Sequence, residues 1–473
     1  MLNFKARKGS VLAYILIVVS IVAIILSSAI QFIVSRVKYS AYTHAREEAF
    51  QISEAGIQYF RWYLAHNTDG RTALQIQDFW NNRSLLPAEE GGMEYRDPNG
   101  GAIGKFKLEV IPPDAGSTIA IVRSEGWTYK YPDHKREIQV RLRRPSWSEF
   151  ILMINDDLRV GEGTETFGKV KSNFGIRFDG LAHNLVSSAV YKYDDPDHAG
   201  SGEYGVHTHL SPVDPLPDNP LPARTDVFEA GRQIDVTDTD FVGMRADLNL
   251  IESVARSGLN GSIFLNDDFA GWHIILKEDG TFDYCNIQNF QGENREVHKY
   301  RGSWRNAPIP ESGVIFVQNN VRVEGKINND RLTIVAADLK TGGSRYDIYL
   351  KNDLTYTNYD GRDVLGLVAD GNIEVILNSE NDLRIDAAMI AQEGKVGRGQ
   401  HTPWWCFSSS CRDIKDTITV YGAIASNIRY GFAYTDGSGY QKRDLIFDNN
   451  LLYNPPPYFP TGSEYLLDLW EEL

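Results

Sequence analysis

The chain has 473 residues, a net charge of −15 and 42% hydrophobic residues. Its acidic balance argues against a general nucleic-acid binder, which needs a basic stripe, and its length allows two or more domains with cores of their own. Only three cysteines are present, which excludes a disulfide-dense scaffold.

The first element is the most constrained. Lys5, Arg7 and Lys8 precede an uncharged, mostly apolar stretch over residues 10–35. A bilayer core needs about 20 apolar residues in helical form, whereas a cleaved secretory signal has an apolar region of only about 7–15. A retained span is therefore expected, with cleavage near Ser27, Ser28 and Ala29 as the alternative. The basic flank predicts a cytoplasmic N-terminus and an extracytoplasmic remainder. Past Arg36, apolar residues recur at helical spacing: Val37, Ala41, Ala45, Ala49, Ile52, Ala55 or Gly56, Tyr59 or Phe60, and Tyr63. One continuous helix is predicted, apolar all round in its first half and striped in its second.

Lys8-Gly9-Ser10 resembles the leader junction of type IV prepilins. The stretch around Ser53-Glu54-Ala55-Gly56 is similar to the "AEAG" segment of the PilX-type minor pilin N-terminal module. The resemblance covers only about residues 5–65. It implies that a prepilin peptidase cuts between Gly9 and Ser10. It also implies an assembly helix, containing Glu54, Ala55 and Gly56, that leaves the lipid bilayer to join other pilin or pseudopilin subunits through a pilus assembly machinery. Tyr14 stands where shaft pilins carry Glu, which implies a low-copy or tip position. A surface glycan or protein is the possible outward partner. Two other readings stay open: a single-pass extracellular adhesin or structural protein outside any pilus, and an anchored polysaccharide-active enzyme.

The expected organisation is a basic leader (1–9), the transmembrane and assembly helix (10–65) and a small antiparallel β unit (66–147). A β-helix-like domain (148–180 with 313–473) follows, interrupted by an insertion (181–312). The fold class is α+β and then mainly β. In the small unit, residues 67–100 read as loop, and strands are expected over 102–111, 118–127 and 136–143. The last of these, Arg136-Glu137-Ile138-Gln139-Val140-Arg141-Leu142-Arg143, alternates strictly, the mark of a half-buried strand.

Beyond residue 150 a weak repeat sets in. Asn/Asp/Gly corners at 155–157, 172–175, 318–320, 351–353 and 369–372 are each followed by a short strand, and most are preceded by an apolar run. That pattern suits a single-stranded β-helix, with a β-sandwich as the alternative. The insertion is expected to hold a helix over 246–256 closed by Gly258, and a hairpin with 272–276 and 281–284 around Glu278-Asp279-Gly280. At the C-terminus, Ser463 is expected to cap a short helix through Trp470 that covers the last coil.

Candidate chemistry is sparse. Cys406 and Cys411 enclose a short loop and form a possible disulfide; zinc is the alternative, but no second ligand pair stands at the right spacing. Cys285 is expected to be buried and inert. His183, His198, His207 and His209 read as polar loop histidines, although His207-Thr208-His209 offers half a metal site. Asp194, Asp195 and Asp197, and Asn358, Asp360 and Asp363, are oxygen-rich but do not follow the twelve-residue Ca2+ loop. Asp156, Asp157 and Asp179 read as solvated corner residues rather than a glycosidase pair. No catalytic residue, metal or cofactor is expected.

Overall fold

A computed structural model describes residues 8–473 except 70, 72, 83–90, 98–99, 114–116, 197–201, 240, 242–243, 293–294, 341–342, 400–412 and 463–464. Helix α1, Lys8–Thr68, is one unbroken rod of 61 residues, about 90 Å long at 1.5 Å per residue. It carries the membrane-length apolar segment expected from the sequence. A short helix α2 (Ala73–Asn81) follows within the stretch expected to be loop.

Next to α1 lies an antiparallel sheet of β1 (Met93–Arg96), β2 (Ala102–Ile111), β3 (Ile119–Thr128) and β4 (Arg136–Arg143). A fifth strand completes it, and it is the C-terminal segment Leu466–Glu472, paired antiparallel to β4. The short helix expected through Trp470 is thus a strand. A helix of two turns is marginal in water, whereas the open edge of β4 offers a row of unpaired backbone groups. Ion pairs Arg136–Glu472 and Arg141–Asp468 reinforce the pairing.

The second region is built of parallel coils. One ladder runs through Ile263–Leu265, Val314–Val317, Arg331–Ala336, Val364–Ala369, Asp382–Ala391 and Ile414–Ser426. It then passes to Leu152–Ile154, Val170–Ser172, Val186–Ser188 and Arg232–Gln233. The spatial order is therefore not the chain order. The chain enters the stack in its middle at Leu152, builds outward to residue 233, and returns through helix α3 (Met244–Ser257). It then fills in from the far end until Ile414–Ser426 meets Leu152–Ile154.

Residues 181–312 are consequently no lateral insertion. Leu181–Ala182, Val186–Ser188 and Val206–His207 extend the stack at one end, and Ile263–Leu265 and Gly271–Leu276 extend it at the other. The repeat there is hidden because the corners between coils have unequal lengths. The antiparallel excursion is a hairpin of Thr281–Gln291 with Glu296–Pro308, joined to Gly271–Leu276. Helix α3 ends where Gly258 takes φ +65°, a left-handed value that glycine tolerates.

Burial explains the unbroken apolar runs. In the ladder above, Ile315, Val317, Ile334, Leu367 and Met389 face the interior of the stack. Their neighbours Val314, Phe316, Val335, Val368 and Ile390 face outward and are covered by Leu248, Ile251 and Val254 of α3, with Trp147, Phe241 and Phe459. A strand buried on both faces loses the alternation of a half-buried one. The proline-rich segment near the C-terminus straps the same outer face: Thr333 Oγ1 donates to the Pro457 carbonyl at 2.5 Å and Arg331 to that of Pro455 at 2.6 Å.

Candidate functional site

The N-terminal helix is a single element in two environments. From residue 11 to residue 39 its large apolar side chains stand exposed on every side, with Tyr14 at 69% and Tyr39 at 71%. From Ala45 onward one stripe, Ala45, Ala49, Ile52, Ser53, Ile57, Phe60 and Leu64, is buried. It packs on Phe106, Leu108, Val122, Ile138, Val140 and Leu142 of the sheet. The spacing of 3–4 residues puts these side chains on one face, as the sequence required.

Three glycines let helix and sheet approach closely. A Cβ on Gly126 would meet the Ala49 carbonyl oxygen at 2.4 Å and the Ser53 nitrogen at 2.5 Å. On Gly56 it would stand 2.2 Å from Ser124 Oγ, and on Gly104 it would stand 2.6 Å from Ile52 Cδ1. Gly56 of the pilin-like segment thus permits close approach to β3. Its neighbour Ala55 is half-buried and Glu54 is exposed, pointing away from the sheet. Lys8, Gly9 and Ser10 form the first turn of α1.

The other sequence candidates fall into three groups. Cys406, Cys411, Asp197 and His198 lie outside the described residues. Cys285 is a buried free thiol, pushed up by burial. The third group, the acidic residues of the corners, forms part of the fold. Asp363 accepts backbone N–H groups of Asn329, Thr357 and Asn358, Asp156 that of Arg429, and Asp157 that of Gly175. Asp179 binds Arg177 Nε at 2.7 Å and the His209 N–H at 2.8 Å. Asp360, paired with Arg362, is an exposed surface group, and Asp194 is exposed as well. Asp363 and Asp179 are both buried, so Asp179 is not the solvated corner residue expected.

His183 stacks on Phe167 with ring centroids 4.2 Å apart and bonds Glu229 at 2.8 Å; that bond raises its pKa. His207 and His209 lie apart from it, with ring centroids 5.0 Å apart. Asp195, which precedes both histidines in the chain, closes on both, so that one donor atom from each of the three lies within 4.8 Å of the others. The sequence showed the His-x-His pair and the acidic run separately; only the hairpin Lys192–Tyr193 with Glu203–Tyr204 folds one onto the other.

A cleft of about 470 Å³ opens where the two parts of the stack meet, with Arg159, Lys395, Tyr430, Tyr434 and Arg443 in its wall. Arg443 is committed to the fold: Nε donates to Thr164 Oγ1 at 2.8 Å and Nη1 to the Tyr440 carbonyl at 2.7 Å. Its other nitrogen reaches the Glu162 carbonyl across the junction.

No protein-family model matches the chain, and no curated protein matches it in sequence. Among solved structures it is similar to the competence-associated pilin ComZ from Thermus thermophilus, with 13% identity, 91% of this chain and 97% of that chain covered, and a TM-score of 0.33.

Proposed function

We propose that this chain is a minor pilin-like or pseudopilin-like structural subunit. It is inserted in the membrane with its N-terminus in the cytoplasm and carries an exported β-helix-like domain for pilus assembly, capping or adhesion. The observation that carries this reading is the division of α1. Its first half is apolar on all sides and stands exposed among the described residues, while its second half is fastened to the sheet through Gly56 and Gly126. The free half suits a bilayer and afterwards the apolar flanks of neighbouring helices in a fibre. The fastened half turns any movement of that helix into movement of the whole surface domain.

The reading is not catalytic. Asp156, Asp157 and Asp179 are engaged as acceptors for corner N–H groups and Arg177, and a glycosidase pair needs carboxylates facing a shared substrate. If a surface glycan or protein is held, the cleft beside Tyr430 and Tyr434 is a concave place that could take it.

The test is N-terminal sequencing and intact-mass measurement of the mature protein from cells containing a prepilin peptidase. A chain beginning at Ser10 supports the reading, and a Gly9→Val variant should stay uncut. An intact Met1, or a start near Ile30, overturns it in favour of a plain anchor or a cleaved signal.

A further inference from the structure

Near one end of the coil stack, Asp195, Glu203, His207 and His209 come together. His207 lies in the strand Val206–His207, which pairs in parallel with Ile176–Phe178. It is 0% exposed. Its Nδ1 faces the Tyr204 carbonyl oxygen at 3.3 Å, which leaves Nε2 as the lone-pair nitrogen; the same orientation by a backbone carbonyl is found behind metal-bound histidines. Nε2 makes no hydrogen bond despite its complete burial. It points at Asp195 Oδ2, 3.6 Å away. His209 Nε2 lies 3.9 Å from Glu203 Oε1, and Glu203 and Asp195 are both buried.

We propose that Asp195, His207 and His209, with Glu203 as the fourth donor, form a divalent transition-metal site, best suited to Zn2+. Two imidazoles and two carboxylates are a zinc donor set, and ligands about 2 Å from a tetrahedral ion lie about 3.4 Å from one another. The 3.6 and 3.9 Å separations are already near that value. Imidazole argues against Ca2+ or Mg2+, which take oxygen.

Charge points the same way. Asp157, Asp195, Glu203 and Arg429 all act on Tyr193, and Asp179 is tied to His209. Arg177 lies 3.7 Å from Asp195, but its Nε is held by Asp179. The carboxylates named here outnumber the guanidinium groups, a balance that favours a bound cation.

Asp195 and Glu203 lie at the paired strands Lys192–Tyr193 and Glu203–Tyr204, and His207 and His209 lie in and just past the strand Val206–His207. The ion would therefore fasten these segments to the coil that carries Ile176–Phe178.

The experiment uses the full chain in detergent, purified without chelator or metal-affinity steps. Metal content is measured by elemental analysis, and the visible spectrum is recorded after Co2+ loading. About one zinc per chain is expected for the wild type and for His183→Gln, whose histidine lies elsewhere. His209→Gln and Asp195→Asn, which keep side-chain size, should each lower zinc affinity about tenfold or more and abolish the tetrahedral Co2+ bands. Chelation should lower the melting temperature of the wild type alone. The proposal is overturned if wild type and His209→Gln retain equal metal after the same dialysis, or if the Co2+ spectrum is unchanged in folded Asp195→Asn.

Discussion

Asn155 donates through Nδ2 to Oδ1 of Asn427 at 2.8 Å, a contact between residues 272 positions apart in the chain. Asn173 donates in turn to Asn155 at 2.7 Å. The ladder of side-chain amides crosses the junction at which the late coils meet the early ones. It does so beside Leu152–Ile154 pairing with Ile424, Ala425 and Ser426. The two parts of the stack are thereby one cooperative body, although the chain builds them in inverted order.

This gives the first prediction. Asn155→Ala and Asn427→Ala should each cost about 1–2 kcal/mol, and the double variant should cost less than the sum, with a coupling of about 0.5–1 kcal/mol. Denaturant titration of the four proteins checks it. Strict additivity would mean that the two amides do not act together across the junction.

Gly126→Ala should loosen the seat of the N-terminal helix. The added methyl meets the backbone of Ala49 and Ser53, which cannot rotate away, so a loss of about 1–3 kcal/mol is expected. Gly101→Ala, where nothing lies within 4 Å, should leave the melting temperature unchanged.

The corner carboxylates divide sharply. Asp363→Ala strands the N–H groups of Asn329, Thr357 and Asn358 in a site only 1% exposed, at a cost of about 2–4 kcal/mol. Asp360→Ala removes an exposed ion pair with Arg362 and should change stability by less than about 0.5 kcal/mol. Chemical denaturation of both variants tests the contrast.

His183 supplies a pH dependence. Its hydrogen bond to Glu229 raises its folded pKa above the unfolded value of 6.5. The resulting stabilisation is complete below pH 6.5 and is lost as the pH rises through the raised value. The melting temperature should fall over that window in the wild type, and His183→Gln should flatten this part of the profile.

Removing residues 465–473 should expose the edge of β4. Val140 and Leu142 are now almost fully buried, and an uncovered strand edge beside them is a site for association. Light scattering of the shortened protein should show aggregation at concentrations where the full chain is monodisperse in detergent.

Much of this architecture was readable from local patterns. The stripe from Ala45 to Leu64 specified its own helix and buried face, because side chains three and four apart must share a side. Strict alternation specified β4, and Gly258 specified the end of α3. The Asn and Asp corners announced the coils. The short apolar runs were less informative: Val314–Val317 is buried on both faces, and such a run does not state its neighbours. Leu466–Glu472 misled for a related reason. Its local sequence allows a helix, and only the vacant edge of β4, more than 300 residues away, makes it a strand.

The sequence by itself determined an apolar N-terminal helix with a striped continuation, a small antiparallel unit and a body of short strands with polar corners. Each of these rests on periodicity, which is a property of neighbours in the chain. Tertiary structure decided the inverted order of the coils, the return of the C-terminus to the first sheet, and the meeting of Asp195 with His207 and His209. Those outcomes depend on which backbone edges and buried polar groups find partners in space, and that is settled only when distant segments compete for the same places.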